Sequence, residues 1–370
     1  AIFANTDHSD NIVTIIGTTN VHGEVDPCGW KKKPLGGLAR KATIIEQLTS
    51  SNQKPIIVDA GDLFFKNDSY DPGVTLDAAI VNAETIRESF NAMGCDAFSP
   101  GQKDFAAGLD FLLEQKDKSN FSYISSNIYD ISNNLLFDPY KILKINNKNI
   151  GIVGLSSIFT SDGVIVKDPV DSVVKYINEL NDKVDFILLL FNATQIDLNR
   201  LYNKNLEIDM ILSSKGRTRS SDGGSKTPTY MAGDRGKILY KFMINMVDDQ
   251  LPYVDVAWCQ NTIKRASGRL DKMKQGEMDV DLYKMYKNDQ KTINRIKNYE
   301  NQIDKANQML ENSINSLIFE KIELGQNIAD RTDILKIVDK GKLKIKDLNL
   351  PPMPLHDHDH HHHHHHHHNH

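Results

Sequence analysis

The chain has 370 residues, 39% of them hydrophobic, enough to bury one large core with appended elements. Its formal net charge of −5 and pI near 6.3 leave no basic surplus of the kind that attracts nucleic acid. No run of about 18 apolar residues is present, so no membrane span and no membrane role is expected.

The chain opens on Ala-Ile-Phe-Ala-Asn without an initiator Met, a sequence of the kind that remains after a signal peptide is cut. An extracytoplasmic location, periplasmic or secreted, is expected, with an artificial start as the alternative. Residues 1–10 read as an N-terminal arm. From Asn11 to about Leu212, short apolar runs alternate with helical patterns: NIVTIIGT, LARKATIIEQL, PIIVDAGD, LDAAIVNAETIRESFNAMG, CDAFSPG, NFSYISSNI, KNIGIVGLS, VDSVVKYINEL, DFILLLF and IDMILSS. Strand and helix in turn predict a layered α/β domain over 11–261. Several strands run directly into polar loops, at 18–23, 59–62, 99–104, 192–195 and 213–219, and in such folds the loops beyond the strand ends build the site.

Residues 262–312 are rich in Lys, Asn, Asp and Glu, and Ile296, Tyr299, Ile303, Ala306 and Leu310 recur at three-four spacing. One apolar stripe along a long helix or helical hairpin follows. Such a stripe can dock on its own domain or form a coiled-coil contact with another protein subunit. Over 313–349, LIFEKIELG alternates like a strand and ADRTDILKIVDKGKLKI reads as a helix returning to the main domain. Residues 350–370 form a Pro- and His-rich tail that can build no core and is expected to be disordered. His356, His358, His360, His361, His362, His363, His364, His365, His366, His367, His368 and His370 would bind Zn, Ni or Cu. A purification tag is one reading of the tail. The interspersed Asp357 and Asp359 and the LPPMPL lead-in favour a natural one.

Cys28, Cys95 and Cys259 form no CxxC, so neither a cysteine zinc site nor a covalent haem is written here. Cys95 reads as a buried small hydrophobe, and Cys28 can pair with Cys259. The Lys31-Lys32-Lys33 run reads as a solvated face, and Gly233-Asp-Arg-Gly-Lys237 as a turn with a salt-bridged Arg235.

Taken in order, TNVHGEVDPCG, VDAGDLF, FNAMGCDAFSPGQKDFAAG, DFILLLFNATQ, DMILSS and YMAGDRGKILYKF resemble the calcineurin-like metallophosphoesterases, in the branch of exported 5′-nucleotidases and thiosulfohydrolase-type enzymes. The resemblance implies a sandwich of two mixed β-sheets flanked by helices. It also implies a two-metal site for phosphate-ester hydrolysis, which needs acidic and imidazole ligands. In the family's Asp-x-His-Gly loop stand Asn20 and His22. Asp62 matches the bridging aspartate. Gln102 and Lys103 replace the Asn-His pair, Asn192 a histidine, and Lys215 and Arg217 the two histidines of Gly-His-x-His. Lys103 is an ammonium at neutral pH and offers no lone pair.

Loss of two cations would leave Asp62 uncompensated, and a buried lone charge is costly. Lys103, Lys215 and Arg217 are expected to supply positive charge there, either as internal ion pairs or as a pocket that binds phosphate or sulfate without turnover. The expectation is a non-catalytic protein of this fold with no cofactor in its cleft, acting as an accessory subunit through 262–312. The alternatives are a phosphoesterase with a reduced metal site, and metal binding by the tail.

Overall fold

The computed structural model describes residues 11–51, 54–215, 227–231, 233–248 and 250–348. In chain order the elements are β1 (Ile12–Thr18), β2 (Pro27–Cys28), β3 (Leu35–Gly36), α1 (Leu38–Ser50), β4 (Ile56–Asp59), α2 (Val74–Met93), β5 (Ala97–Phe98), a 3-10 turn (Gln102–Phe105) and α3 (Leu109–Asp117). There follow β6 (Ser122–Tyr123), β7 (Ile128–Asp130), β8 (Tyr140–Ile145), β9 (Lys148–Ser156), β10 (Val164–Val166), α4 (Pro169–Leu180), β11 (Phe186–Asn192), α5 (Gln195–Asn203) and β12 (Met210–Ser213). The last group is β13 (Thr229–Met231), β14 (Ile238–Asn245), β15 (Tyr253–Asp255), α6 (Val256–Met273), α7 (Leu282–Met285), α8 (Gln290–Glu311), β16 (Asn315–Glu323) and α9 (Thr332–Asp347).

Two mixed sheets result. The seven-stranded sheet runs β15–β16–β14–β1–β4–β5–β6 and the five-stranded sheet β13–β12–β11–β9–β8. In the first, β1, β4, β5 and β6 are parallel and β14 runs antiparallel to β1. In the second, β9, β11, β12 and β13 are parallel. Parallel strands covered on both faces need unbroken apolar runs, and β11 is buried along its whole length.

The sheets face each other across one core. Val13, Ile15 and Val58 of the first sheet meet Ile152, Leu188 and Leu212 of the second, with Tyr230 and Phe242 filling the end. Outside the first sheet, Ala42 and Ile45 of α1, Ile86 and Phe90 of α2, Leu112 of α3 and Ile334 of α9 close a second core. Val173 and Ile177 of α4 and Leu198 of α5 close a third over the other sheet. Helix, sheet, sheet, helix is the four-layer architecture that the resemblance implied.

The helical segment begins at Val256, capped by Asp255, whose carboxylate accepts the Trp258 N–H at 2.8 Å. Helices α6 and α8 pack as a hairpin. Ile293 and Ile296 of α8 join Leu270 and Met273 of α6 and Leu282 of α7 in a small separate cluster. Ile296 and Ala306 of the apolar stripe are fully buried within the chain itself. All three cysteines are free thiols. Cys28 and Cys259 are therefore unpaired: Cys28 lies beside the carbonyl of Arg235, whereas Cys259 is fully buried on α6. Cys95 is buried, as its sequence context suggested. The His-rich tail lies outside the described residues.

Candidate functional site

The parallel strands end on one side, where the loops after β1, β4, β5, β11 and β12 meet. Asn20, His22 and Asp62 all have left-handed backbones, with φ of 53°, 58° and 53°. Asn tolerates this region, but His and Asp adopt it at a cost that the surrounding contacts must offset. Those contacts are a ladder between the first two loops: Asn20 N to Gly61 O, His22 N to Asp62 O and Gly23 N to Leu63 O, each 3.0 Å. At Gly61, with φ of 100°, a Cβ would stand 2.6 Å from the carbonyl oxygen of Ser99, so the second and third loops touch backbone to backbone.

The third loop is fastened by Asp104, the last residue of Gly101-Gln-Lys-Asp104. Its side chain is fully buried and accepts four backbone N–H groups: Asp62 and Gly101 on one oxygen, at 2.9 and 2.8 Å, and Leu63 and Phe64 on the other, at 2.8 and 2.9 Å. Burial and then the Asp62 charge push this carboxyl above its ordinary range, and the N–H donors oppose that rise. Asp62 Oδ1 in turn accepts the Lys103 N–H at 3.0 Å. Gly101 runs between Asn192 and Asp62. A Cβ there would stand 2.2 Å from Asn192 Nδ2 and 2.6 Å from Asp62 Oδ1, so only glycine lets the two side chains approach. The Nδ2 of Asn192 is buried with no hydrogen-bond partner among the described residues.

The fifth loop joins through Asn20, whose Nδ2 donates to Ser214 O at 2.7 Å. The GDRGK turn closes the first loop from the other side: Arg235 N donates to Asn20 O at 2.7 Å, and Asp234 Oδ1 lies 3.4 Å from His22 Nδ1. A hydrogen bond from His22 first, and then the charges of Arg235 and Lys237, hold the Asp234 carboxyl below its usual range. Arg235 pairs with Asp234 at 3.4 Å, as the sequence suggested.

The Lys103 ammonium does not turn to Asp62. Lys103 Nζ donates to Lys66 O at 2.6 Å and lies 4.0 Å from Asp68, so it is tied to the outer end of the second loop. The expected Lys103–Asp62 pair is not formed, because the 3-10 turn aims the backbone N–H of residue 103, rather than its ammonium, at Asp62. Lys215 is exposed and meets Ser213 Oγ through its backbone N–H. Arg217 lies outside the described residues. Gln102 starts the 3-10 turn and is half-buried beside Lys103.

Behind the loops sits a group that motif reading missed. Asp59 is fully buried, accepts Thr18 Oγ1–H at 2.7 Å and Gly61 N–H at 2.9 Å, and is pushed up to about 6 by burial. Lys41 Nζ donates to Thr18 Oγ1 at 3.1 Å and lies 4.1 Å from the Phe90 ring centroid, and burial lowers its pKa. The signal was available in sequence: Leu38, Lys41, Ala42 and Ile45 share one helix face, and the lysine falls within its apolar stripe.

Among the described residues, no group of three or more His, Cys, Asp or Glu side chains is placed to hold a metal ion, and no helix is long and apolar enough to cross a membrane. No protein-family model matches the chain. A snake venom 5′-nucleotidase from Gloydius brevicauda is 26% identical over 264 residues, covering 65% of this chain and 42% of its own length. The chain thus spans less than half the length of that relative. Among solved structures, the 5′-nucleotidase precursor from Thermus thermophilus superposes with a TM-score of 0.59 at 15% identity, covering 91% of this chain and 59% of that one. The calcineurin-like phosphoesterase YfkN from Bacillus subtilis gives 0.59 at 17%, covering 92% and 99%. With the five loops gathered at the strand ends of a four-layer sandwich, the chain has the fold of the calcineurin-like phosphoesterases and is similar in sequence to 5′-nucleotidases.

Proposed function

We propose that this protein keeps the metallophosphoesterase scaffold without two-metal hydrolysis, and serves as a structural or accessory subunit of an extracytoplasmic assembly. The observation that carries this reading is the use made of the ligand positions. The amide of Asn20 is spent on Ser214, and His22 faces Asp234. Lys103 binds Lys66 O. These side chains fasten the loops to one another, where metal-site residues would point their lone pairs at a common centre. The donor set does not fit a pair of divalent cations: Asp62 and His22 are the one carboxylate and one imidazole, and Asn20, Gln102 and Asn192 are neutral amides. An extracytoplasmic place is supported by the venom relative. Partner contact falls to the part of 262–312 not consumed in the α6–α8 seam.

A second reading, a metal-dependent phosphoesterase with a reduced site, is favoured by relatives that are 5′-nucleotidases and by the close approach of Asn192 and Asp62 across Gly101. The assay that separates the two measures hydrolysis of AMP and of bis-p-nitrophenyl phosphate with added Mn²⁺, for the full chain and for Asp62→Ala. Equal, background rates support the first reading, and turnover abolished in the variant establishes the second. Metal content is measured on the full chain and on a version cut before Leu355, because the tail's imidazoles are proposed to bind Zn, Ni or Cu on their own.

A further inference from the structure

We propose that the turn Trp30–Lys33 is a docking tip for an anionic phospholipid surface. This inference is independent of whether the cleft hydrolyses anything. The turn crowns the hairpin of β2 and β3, in which Pro27 pairs with Gly36 and Cys28 with Leu35. Lys33 N donates to Trp30 O at 2.9 Å, closing the tip. Trp30 is 74% exposed, and Lys31, Lys32 and Lys33 are exposed beside it. Single exposed apolar residues occur on every protein surface, and Ile131 and Ile196 are comparable here. Trp30 differs from them in sharing one four-residue turn with three ammonium groups.

The base of the hairpin is rigid. Gly36 N donates to Leu324 O at 2.9 Å, Arg40 Nη1 to Pro34 O at 3.1 Å, and Leu38 N to Val25 O at 3.1 Å. The tip is therefore presented in a fixed conformation and loses little entropy on contact. Acidic groups near the base do not cancel its charge. Asp26 pairs with Lys342 at 2.9 Å, Asp234 is shared by His22 and Arg235, and the side chain of Lys237 adds a cation against Gly29. Glu24 is the remaining acid on this segment.

Lipid fits this chemistry better than a dissolved anion. All four residues of the tip are exposed, whereas small ligands are held in concave sites that bury them. Lysines attract an anionic headgroup layer, whereas an indole with an apolar body and a polar N–H prefers the water–membrane interface. The whole molecule carries −5 and is not drawn to such a surface by its net charge. At physiological salt the screening length is about 8 Å, so the local tip decides. The hairpin packs on the GDRGK turn, which holds Asn20, so docking would bring the cleft side of the sandwich towards the headgroups.

The test is co-flotation of the full chain with phosphatidylcholine vesicles with and without phosphatidylglycerol. EDTA is present to strip metal from the tail, and the pH is kept near ~8, above the ordinary imidazole pKa of ~6.5. Binding is expected only with the anionic lipid, and is expected to vanish near ~1 M salt, where the screening length is ~3 Å. At about 1 kcal/mol per lysine, or about five-fold each, Lys31→Ala/Lys32→Ala/Lys33→Ala weakens partitioning about 100-fold. In a Trp258→Phe background the emission of Trp30 shifts to the blue on binding, and Trp30→Ala loses that signal and part of the affinity. All four side chains are exposed, so the variants should melt with the wild type. Equal binding by the triple variant overturns the proposal. So does binding to phosphatidylcholine alone, or capture of soluble heparin or a soluble protein through the tip without capture of vesicles.

Discussion

Replacing Asp104 tests whether the third loop is held by buried hydrogen bonds rather than by anything bound in the cleft. The side chain is fully buried and takes four N–H donors, two on each oxygen, from residues 62, 63, 64 and 101. Leaving a buried donor unsatisfied costs about 1–3 kcal/mol each. Asp104→Ala therefore costs about 4–12 kcal/mol with all four donors unsatisfied, and about 4 kcal/mol is expected because water entering the vacated space satisfies part of the set. Asp104→Asn can keep the two donors from Leu63 and Phe64 on its carbonyl oxygen but turns an NH2 against those of Asp62 and Gly101. It should cost about half as much, or ~2–3 kcal/mol. Urea denaturation of the full chain, followed by far-ultraviolet circular dichroism, measures both. A rank of Ala worse than Asn worse than wild type is expected, with unchanged m-values. An alanine variant within about 1 kcal/mol of wild type would falsify the account, because the loop must then be held by other contacts.

The buried Asp59 gives a pH dependence of definite sign. Its folded pKa of about 6 lies above the ordinary carboxylate value, so its contribution is fully present below about pH 4 and is lost as pH rises through 6. Relative to Asp59→Asn, the wild type should lose up to about 3 kcal/mol over that window, and parallel stability curves for the two would refute the assignment. Gly101→Ala drives a methyl into Asn192 and Asp62, and thermal melts should show a loss of about 2–3 kcal/mol, part of it recovered by adding Asn192→Ala. Tyr230→Phe removes the 2.9 Å bond from the buried phenol to Asp255, linking β13 to the cap of α6, and should cost about 1–2 kcal/mol by the same measurement. A peptide spanning residues 350–370 should bind Ni²⁺ as well as the full chain does in isothermal titration, and a peptide that binds far less would place the metal elsewhere.

The order of layers was legible because buried parallel strands must be continuous apolar runs, and NIVTIIGT, PIIVDAGD and DFILLLF are such runs. Strand β8 was harder to see: it is an edge strand, Ile142 and Lys144 on one of its faces are exposed, and YKILKI alternates too weakly to stand out. The five loops and Asp62 were also readable, since each follows directly on a strand. The destination of the Lys103 ammonium was not. A long flexible side chain can reach carboxylates on either side of its backbone, and only the 3-10 geometry decides that the N–H faces Asp62 while Nζ turns to Lys66. The role of Asp104 was hidden for a related reason: its four partners are backbone groups, which carry no residue-type signature.

The same geometry explains how this loop cluster can persist whatever happens at the ligand positions. The first and second loops are joined by three backbone hydrogen bonds, the second and third by Asp104, and the first and fifth by Asn20 and Ser214. Ser99 Oγ, accepting Leu155 N at 3.2 Å, ties the third loop to the second sheet. None of these fasteners requires a metal or an imidazole, and most use main-chain groups that substitution cannot remove. Gln102 and Asn192 carry none of these links, so their side chains can change character with little effect on the fastening, provided that Asn20, Gly61, Gly101 and Asp104 stay. A scaffold supported in this way separates the stability of the loops from the chemistry of the side chains they carry, and that separation is compatible with neutral amides at positions 102 and 192.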